Sequence, residues 1–344
     1  MTTQTNSTVV FPSPKRVEIE WRKIPNPEPG QVLIQTRRTL ISIGTELTVL
    51  NGEYPEGSAW AKFGKFPFAP GYNNIGEVLE TGKGVDRALI GRTIATCGNH
   101  ARYVTAPVAA LRLVQRKIPD EQAVFFTIAE IVMNGIRRSA VQWGEAVAVY
   151  GLGLLGQLAA RFCRLCGARP VLAIDPAESR LERLPSDPLI RRVNPRREPV
   201  GDVIKSETRG RSLDVVFEVT GAADLIPSEF EGLRHLGRFV VLSSPHGKTM
   251  FDFHDLCNSP SFTIIGAHNG SHPPEATLQC PWSNQRHAEM FFDLIADGEL
   301  DLNPLISHRA PYSEAPRLYE MLLQDRSAAM GIVLDWTVGD GDRP

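Results

Sequence analysis

The sequence predicts an α/β protein of two units, a compact β-rich unit and a doubly wound parallel-sheet unit. Three observations carry that expectation. A chain of 344 residues exceeds what one hydrophobic core comfortably serves. Up to about Leu113 the apolar stretches are short and lie between Pro and Gly punctuation, as strands do. Beyond Ala146 the rhythm becomes strand, helix, strand, which builds a parallel sheet.

In chain order, Pro25-Asn-Pro-Glu-Pro-Gly30 is a turn before a strand, because each proline fixes φ and removes a ladder donor. Strands follow at Gln31–Gln35, Gly76–Glu80 and Arg92–Ala95, with a short helix over Glu46–Leu50. A helical pattern occupies Asp120–Val141 and ends at Trp143-Gly144-Glu145. Val147-Ala-Val-Tyr150 and Asp214-Val-Val-Phe217 are continuous apolar runs, suited to strands covered on both faces. Val171–Ile174, Gly237–Leu242 and Phe262–Gly266 extend that sheet. A polar loop then runs to Trp282, followed by a helix over Arg286–Asp297 and a last strand, Gly331–Trp336.

Hydrophobic residues at 42% and charged residues at 22% are the balance of an ordinary globular enzyme. A formal net charge of −2 supplies no long-range field for nucleic acid or an anionic membrane, so neither is an expected partner. The five cysteines, Cys97, Cys163, Cys166, Cys257 and Cys280, are odd in number and scattered, which suits a reducing compartment. Met1 to Phe11 lacks the basic start and apolar core of an export signal, and no apolar run approaches the roughly 20 residues that span a bilayer. The expected location is the cytoplasm.

Gly151-Leu152-Gly153-Leu154-Leu155-Gly156 follows an apolar strand and opens a helix. The first glycine permits the tight turn, the second lets the backbone approach a pyrophosphate, and the third lets helix and strand pack closely. The helix start adds free N–H groups and a positive dipole end. Asp175 stands 19 positions beyond Gly156 at the end of a strand, placed to accept both hydroxyls of an adenosine ribose. Its charge repels a 2′-phosphate, which argues for NAD over NADP; Arg180, five residues on, keeps NADP open. The alternative for Asp175 is a helix N-cap for the segment beginning near Glu178. Thr220 and Ser243, beyond two later strands, complete the candidate cofactor set.

The order of parts, with Gly44-Thr-Glu46, Pro70-Gly71, Gly151–Gly156, Asp175 and Val219-Thr-Gly221, resembles the medium-chain dehydrogenase/reductase family of zinc alcohol and polyol dehydrogenases. The resemblance implies a GroES-like catalytic domain over 1–122 and 270–344, to which the chain's end returns, and a Rossmann NAD-binding domain over 123–269. It also implies zinc, held by a Cys before Gly-Thr-Asp, a His after Pro-Gly and a third ligand before the glycine turn. Those positions read Ile43, Tyr72 and Phe126-Thr127, which offer no thiolate, imidazole or carboxylate. The structural zinc of the family needs four close cysteines, and between Gly82 and Pro119 only Cys97 occurs. No metal is expected. Cys163-Arg-Leu-Cys166 lies within a helix and is expected to pack as small apolar residues.

Without a Lewis acid, alcohol oxidation needs donors for the developing alkoxide and an acceptor for its proton. The resemblance implies Thr45 as the hydroxyl that bonds the substrate oxygen and starts a proton relay, with Tyr72 where the metal-binding His stands elsewhere. Glu46 joins them as the third catalytic candidate. The alternatives are that Tyr72 fills a vacated cavity, that Thr45 caps a turn and that Glu46 is a favourable first-turn acid. Asn73, Glu130, His246, His268 and Asn269 are the candidate substrate contacts, Glu130 sharing a helical face with Asn134. His246 and His268 lie beyond strand ends, where open sheets bind ligands; His100, His254, His272 and His287 have weaker claims.

These readings converge on a zinc-independent, NAD-dependent dehydrogenase interconverting a secondary alcohol and a ketone on a hydroxyl-rich small molecule, a sugar, cyclitol or polyol. The run Ser42 to Glu46 is also similar to a branch that includes bacteriochlorophyllide dehydrogenase, so large rings stay open. The rivals are an NADPH-dependent quinone or enoyl reductase of the same fold and a non-catalytic nucleotide-sensing protein. The edge strand near Phe262–Gly266 suggests a homodimer.

Overall fold

A computed structural model describes residues 5–327 and 329–338. The chain divides into two compact units, one built from the residues up to Thr127 together with those from Ala288 onward, the other from Ile128–His287. These divisions fall later than the 122/123 and 269/270 boundaries drawn from the sequence. The segment 268–284 is tied by hydrogen bonds to helix Phe126–Ser139, through Asn134 and Glu130, and stays with the second unit.

Seven strands come first: β1 Asn6–Val10, β2 Glu18–Arg22, β3 Gln31–Leu40, β4 Asn74–Thr81, β5 Thr93–Thr96, β6 Tyr103–Pro107 and β7 Arg112–Leu113. Six follow in the second unit: β8 Val147–Tyr150, β9 Val171–Ile174, β10 Ile190–Val193, β11 Leu213–Glu218, β12 Leu233–Val241 and β13 Thr263–Gly266. β14 Ile306–Pro311 and β15 Gly331–Asp335 belong to the first unit again.

In the first unit β15 pairs antiparallel with β3, in the sheet order β14-β15-β3-β4-β5-β7, and β6 also pairs with β3. β3 thus collects partners from both ends of the chain. Its alternating Val32 and Ile34 meet Val78, Ile94 and Val104 in one core. Phe11, Leu47, Tyr319 and Trp336 fill a second core, on which helices Ile43–Asn51 and Ala315–Gln324 pack.

The second unit is a six-stranded parallel sheet in the order β10-β9-β8-β11-β12-β13. The order reverses beside β8, the switch point at which such sheets bind ligands. β8 and β9 are apolar throughout because helices cover both faces. The fold class expected from the sequence is the one observed. Among the described residues no helix is long and apolar enough to cross a membrane.

Candidate active site

The glycine turn starts at the carboxyl end of β8. Gly151 has φ +90°, and a Cβ there would lie 2.9 Å from the Thr220 nitrogen and the Val219 oxygen. A Cβ at Gly156 would lie 1.8 Å from the Gly151 carbonyl oxygen, so only glycine lets helix Leu154–Leu165 start against the strand. At Gly153 a Cβ would meet nothing within 4 Å, and no side chain caps the helix. Open space before uncapped N–H groups, Leu154 and Leu155 among the first, fits a dinucleotide phosphate.

Asp175 is 2% exposed at the end of β9. Its Oδ2 accepts from Leu152 N at 2.8 Å and its Oδ1 from Ala177 N at 2.8 Å. The Arg180 guanidinium lies 3.3 Å from Oδ2. Asp175 therefore fixes the glycine turn and makes a local turn with Ala177; it does not cap helix Glu178–Leu181, whose N-cap is Ala177.

Thr220 and Ser243 both donate their hydroxyls to Glu218, Thr220 at 2.8 Å and Ser243 through a short bond. The same carboxyl accepts Thr220 N and Gly221 N. Both hydroxyl protons are committed, so a cofactor meets these side chains as acceptors only. Sequence reading missed Glu218; its place at the end of a buried strand, two residues before Thr220, was the available signal.

Glu130 and Asn134 are both buried in helix Phe126–Ser139. Asn284 Nδ2 donates to Glu130 at 3.0 Å and reaches Asn269 Oδ1 at 3.4 Å. Asn134 Nδ2 donates to the His268 carbonyl at 3.2 Å and to Ser271 Oγ at 2.8 Å. This set pins the segment 268–284. Exposed His268 uses Nδ1 to accept Gly270 N at 3.0 Å, an N-cap of the short turn Asn269–Ser271. His246 is exposed beyond β12, its backbone N–H donating to Gly221 O at 3.2 Å. The structure thus joins Glu130 with Asn269 and places His246 on a different loop.

In the first unit, Ser42 precedes helix Ile43–Asn51, but its side chain makes no cap bond; Oγ instead forms a short hydrogen bond with the Tyr72 phenol. Thr45 Oγ1 lies 3.3 Å from the same phenol oxygen. Thr127 Oγ1 donates to the Tyr72 carbonyl at 2.9 Å. Burial pushes the Tyr72 phenol up to about 12, against the pull of the Ser42 and Thr45 hydrogen bonds. Tyr72 keeps its proton at neutral pH and acts as a donor.

Glu46 is 2% exposed beside this cluster. Its Oε1 accepts Ser42 N at 3.2 Å, and its Oε2 accepts from His100 Nε2 at 3.2 Å and from Tyr319 through a short bond. Sequence reading ranked His100 low and did not name Tyr319, because both lie far from Glu46 in the chain. Asn73 is fully buried, with Nδ2 on the Leu40 carbonyl at 3.5 Å. That burial does not suit the substrate contact expected of it.

The family's catalytic zinc does not fit this donor set. Phe126 is buried, Thr127 is tied to the Tyr72 backbone, and among the described residues no three of His, Cys, Asp and Glu are grouped to hold a metal ion. Cys163 is buried, with its thiol pushed up by burial, and Cys166 is exposed.

Residues 155–281 match the sequence model of a family described as zinc-binding dehydrogenase. The D-guloside 3-dehydrogenase of Escherichia coli (strain K12) is 27% identical over 281 residues, spanning 79% of this chain and 78% of that protein. The L-threonine 3-dehydrogenase of Caldanaerobacter subterraneus subsp. tengcongensis is 26% identical over 344 residues, 89% of this chain and 92% of that protein. Among solved structures, a short chain alcohol dehydrogenase from Escherichia coli CFT073, complexed with NADH, superposes with a TM-score of 0.82 at 15% identity, covering 96% of this chain and 99% of that one. The chain is thus similar over most of its length to dehydrogenases of the medium-chain alcohol and polyol class, which are oxidoreductases.

Proposed function

We propose that this chain is an NAD-dependent, zinc-independent dehydrogenase that interconverts a secondary alcohol and a ketone on a hydroxyl-rich small molecule, a sugar, cyclitol or polyol. The observation that carries the reading is the cluster Ser42, Thr45 and Tyr72, two hydroxyls meeting one phenol oxygen at the position where zinc relatives keep a metal ligand. Buried Asp175 on the glycine turn supports NAD, its charge opposing a 2′-phosphate. The relatives named for D-guloside and L-threonine oxidation support a carbinol substrate.

The glycine turn Gly151–Gly156 and Asp175 would hold NAD, which would supply the hydride acceptor for the carbinol carbon. Tyr72, protonated at neutral pH, donates to the substrate oxygen and steadies the charge that grows there. Thr45, half-buried, is placed to bond the same oxygen, Ser42 holds the phenol in place, and the proton released on oxidation goes to bulk water. β13 leaves one edge of its sheet unpaired among the described residues, with Thr263 and Ile264 exposed, which supports a homodimer through that edge.

Incubation with NAD and a panel of sugars, cyclitols and polyols, followed by NADH absorbance, tests the reading. NADH should form with metal-stripped protein. Activity that needs added zinc, or NADPH binding markedly tighter than NADH, would overturn it.

A further inference from the structure

The hydroxyl cluster needs something to hold it. A serine before a helix ordinarily turns its oxygen onto the N–H groups of the first turn. Ser42 does not, and its Oγ meets Tyr72 instead. The group that bonds the Ser42 N–H is the Glu46 carboxyl, one turn along the same helix. Glu46 is itself fixed by two side chains from distant parts of the chain, His100 before β6 and Tyr319 in helix Ala315–Gln324. His100 is fully buried and its Nε2 faces Glu46, so its proton sits on Nε2. Tyr319 is fully buried too, its phenol raised by burial and by the Glu46 charge, so it remains a donor.

We infer that Glu46, His100 and Tyr319 form a buried positioning centre that sets Ser42 and, through it, the Tyr72 phenol, organising by hydrogen bonds a site that a metal organises in zinc relatives. His100 and Tyr319 are positioning residues; they act through Glu46. Losing either donor lets the Glu46 carboxyl shift, frees the Ser42 backbone and allows Ser42 Oγ to turn back to the helix start. The inference rests on the dehydrogenase reading for its kinetic consequence only.

The test uses Tyr319→Phe and His100→Phe, with His100→Gln to restore a donor near Nε2. Two readouts apply: steady-state kinetics, and the NMR resonance of Tyr72 Cζ in isotope-labelled protein, assigned with Tyr72→Phe. Both Phe variants should lower kcat by about tenfold to a hundredfold at unchanged KM for NAD, the scale of a misplaced catalytic group. Each should shift the Tyr72 resonance, and His100→Gln should recover most of kcat and the native resonance. Should His100→Phe not fold, Tyr319→Phe, which removes one oxygen, decides. A lowered Tm with the Tyr72 resonance and kcat unmoved would mean a merely structural role and overturn the inference. Wild-type protein that oxidises nothing on the polyol panel would sink the dehydrogenase reading, while the resonance would still decide this one.

Discussion

Two buried glutamates, one from each unit, live under opposite conditions. Glu46, in the first unit, accepts hydrogen bonds from Ser42 N, His100 and Tyr319. Glu229, in the second, is 1% exposed, and neither of its carboxyl oxygens has a hydrogen-bond partner. Burial and the neighbouring Glu218 charge push Glu229 up to about 9, so it sits in the core as a neutral acid at pH 7. Burial is common to both and donors are not. A buried carboxyl with three donors organises a site; one with none only shelters its proton.

The same substitution at both positions is the sharpest way to break this comparison. Glu46→Leu should cost about 3–5 kcal/mol, because it leaves the buried His100 and Tyr319 donors without an acceptor. Chemical denaturation measures it, and a loss below about 1 kcal/mol would show that the three bonds do not hold the unit together. Next in size is Tyr72→Phe, which removes one oxygen from the cluster that Glu46 supports. It should lower kcat/KM by about a hundredfold, the scale for one lost donor to a developing oxyanion. Unfolding free energy should fall by no more than about 1.5 kcal/mol. Equal kcat/KM for the two proteins would remove Tyr72 from the chemistry.

Much of the second unit was legible in the sequence, because its determinants are local. A glycine turn, a continuous apolar run and an acid at a fixed offset are read within 30 residues, and the structure builds each from its own segment. The edge strand β10 was hidden. Its Ile190-Arg-Arg-Val193 looks like a solvated basic loop, but Ile190 and Val193 are buried while Arg191 pairs with Glu198 and Glu207. β14 was hidden likewise, its His308, Arg309 and Pro311 masking a strand. In the first unit Ser42, Thr45 and Glu46 were visible as one run, and Tyr72 through the resemblance. What Glu46 binds was not, since His100 and Tyr319 meet it only through contacts 54 and 273 residues apart. Asn73, Glu130 and Asn134 looked like site residues because polar side chains near a motif suggest ligands. In the fold their burial makes them internal ties.

Glu229→Leu should have the opposite sign to Glu46→Leu. A folded-state value near 9 against an ordinary value of 4.5 means that the native state binds more protons than the unfolded state between those limits. Stability therefore falls as pH rises through that window, and the cost at pH 7 is about 3 kcal/mol. Leu at this position removes the cost, so the variant should gain stability at pH 7, gain more at pH 8 and differ least near pH 4. Thermal melts across that range check it. A variant less stable than wild type at pH 8 would mean that Glu229 has found donors of its own and is no contrast to Glu46.

The smallest effect concerns a pair of histidines in the same unit as Glu229, satisfied as fully as Glu46 is. Arg137 Nε donates to His287 Nε2 at 3.0 Å, His287 Nδ1 lies 2.9 Å from His272 Nε2, and His272 Nδ1 lies 2.7 Å from the Asn269 carbonyl. Only one arrangement of protons serves all three bonds: both rings neutral, each with its proton on Nδ1. Burial first, then His272 and the nearby arginines, hold His287 down at about 3. Its folded-state value lies below the ordinary 6.5, so the unfolded state binds more protons between about 3 and 6.5. Stability is complete above that window and declines as pH falls through it, by at most about 1.4 kcal/mol per pH unit from this group. The slope is opposite to that of Glu229; the two cancel where their windows overlap, from about 4.5 to 6.5, and together place maximal stability in that mildly acidic range. Removing the titration with His287→Gln should raise the variant's stability relative to wild type progressively as pH falls from 6 to 4 and leave the alkaline side unchanged. A wild-type and a variant curve that run parallel from pH 6 to pH 4 would show that the histidine relay does not resist protonation, and that donors and acceptors in this unit are less tightly matched than those around Glu46.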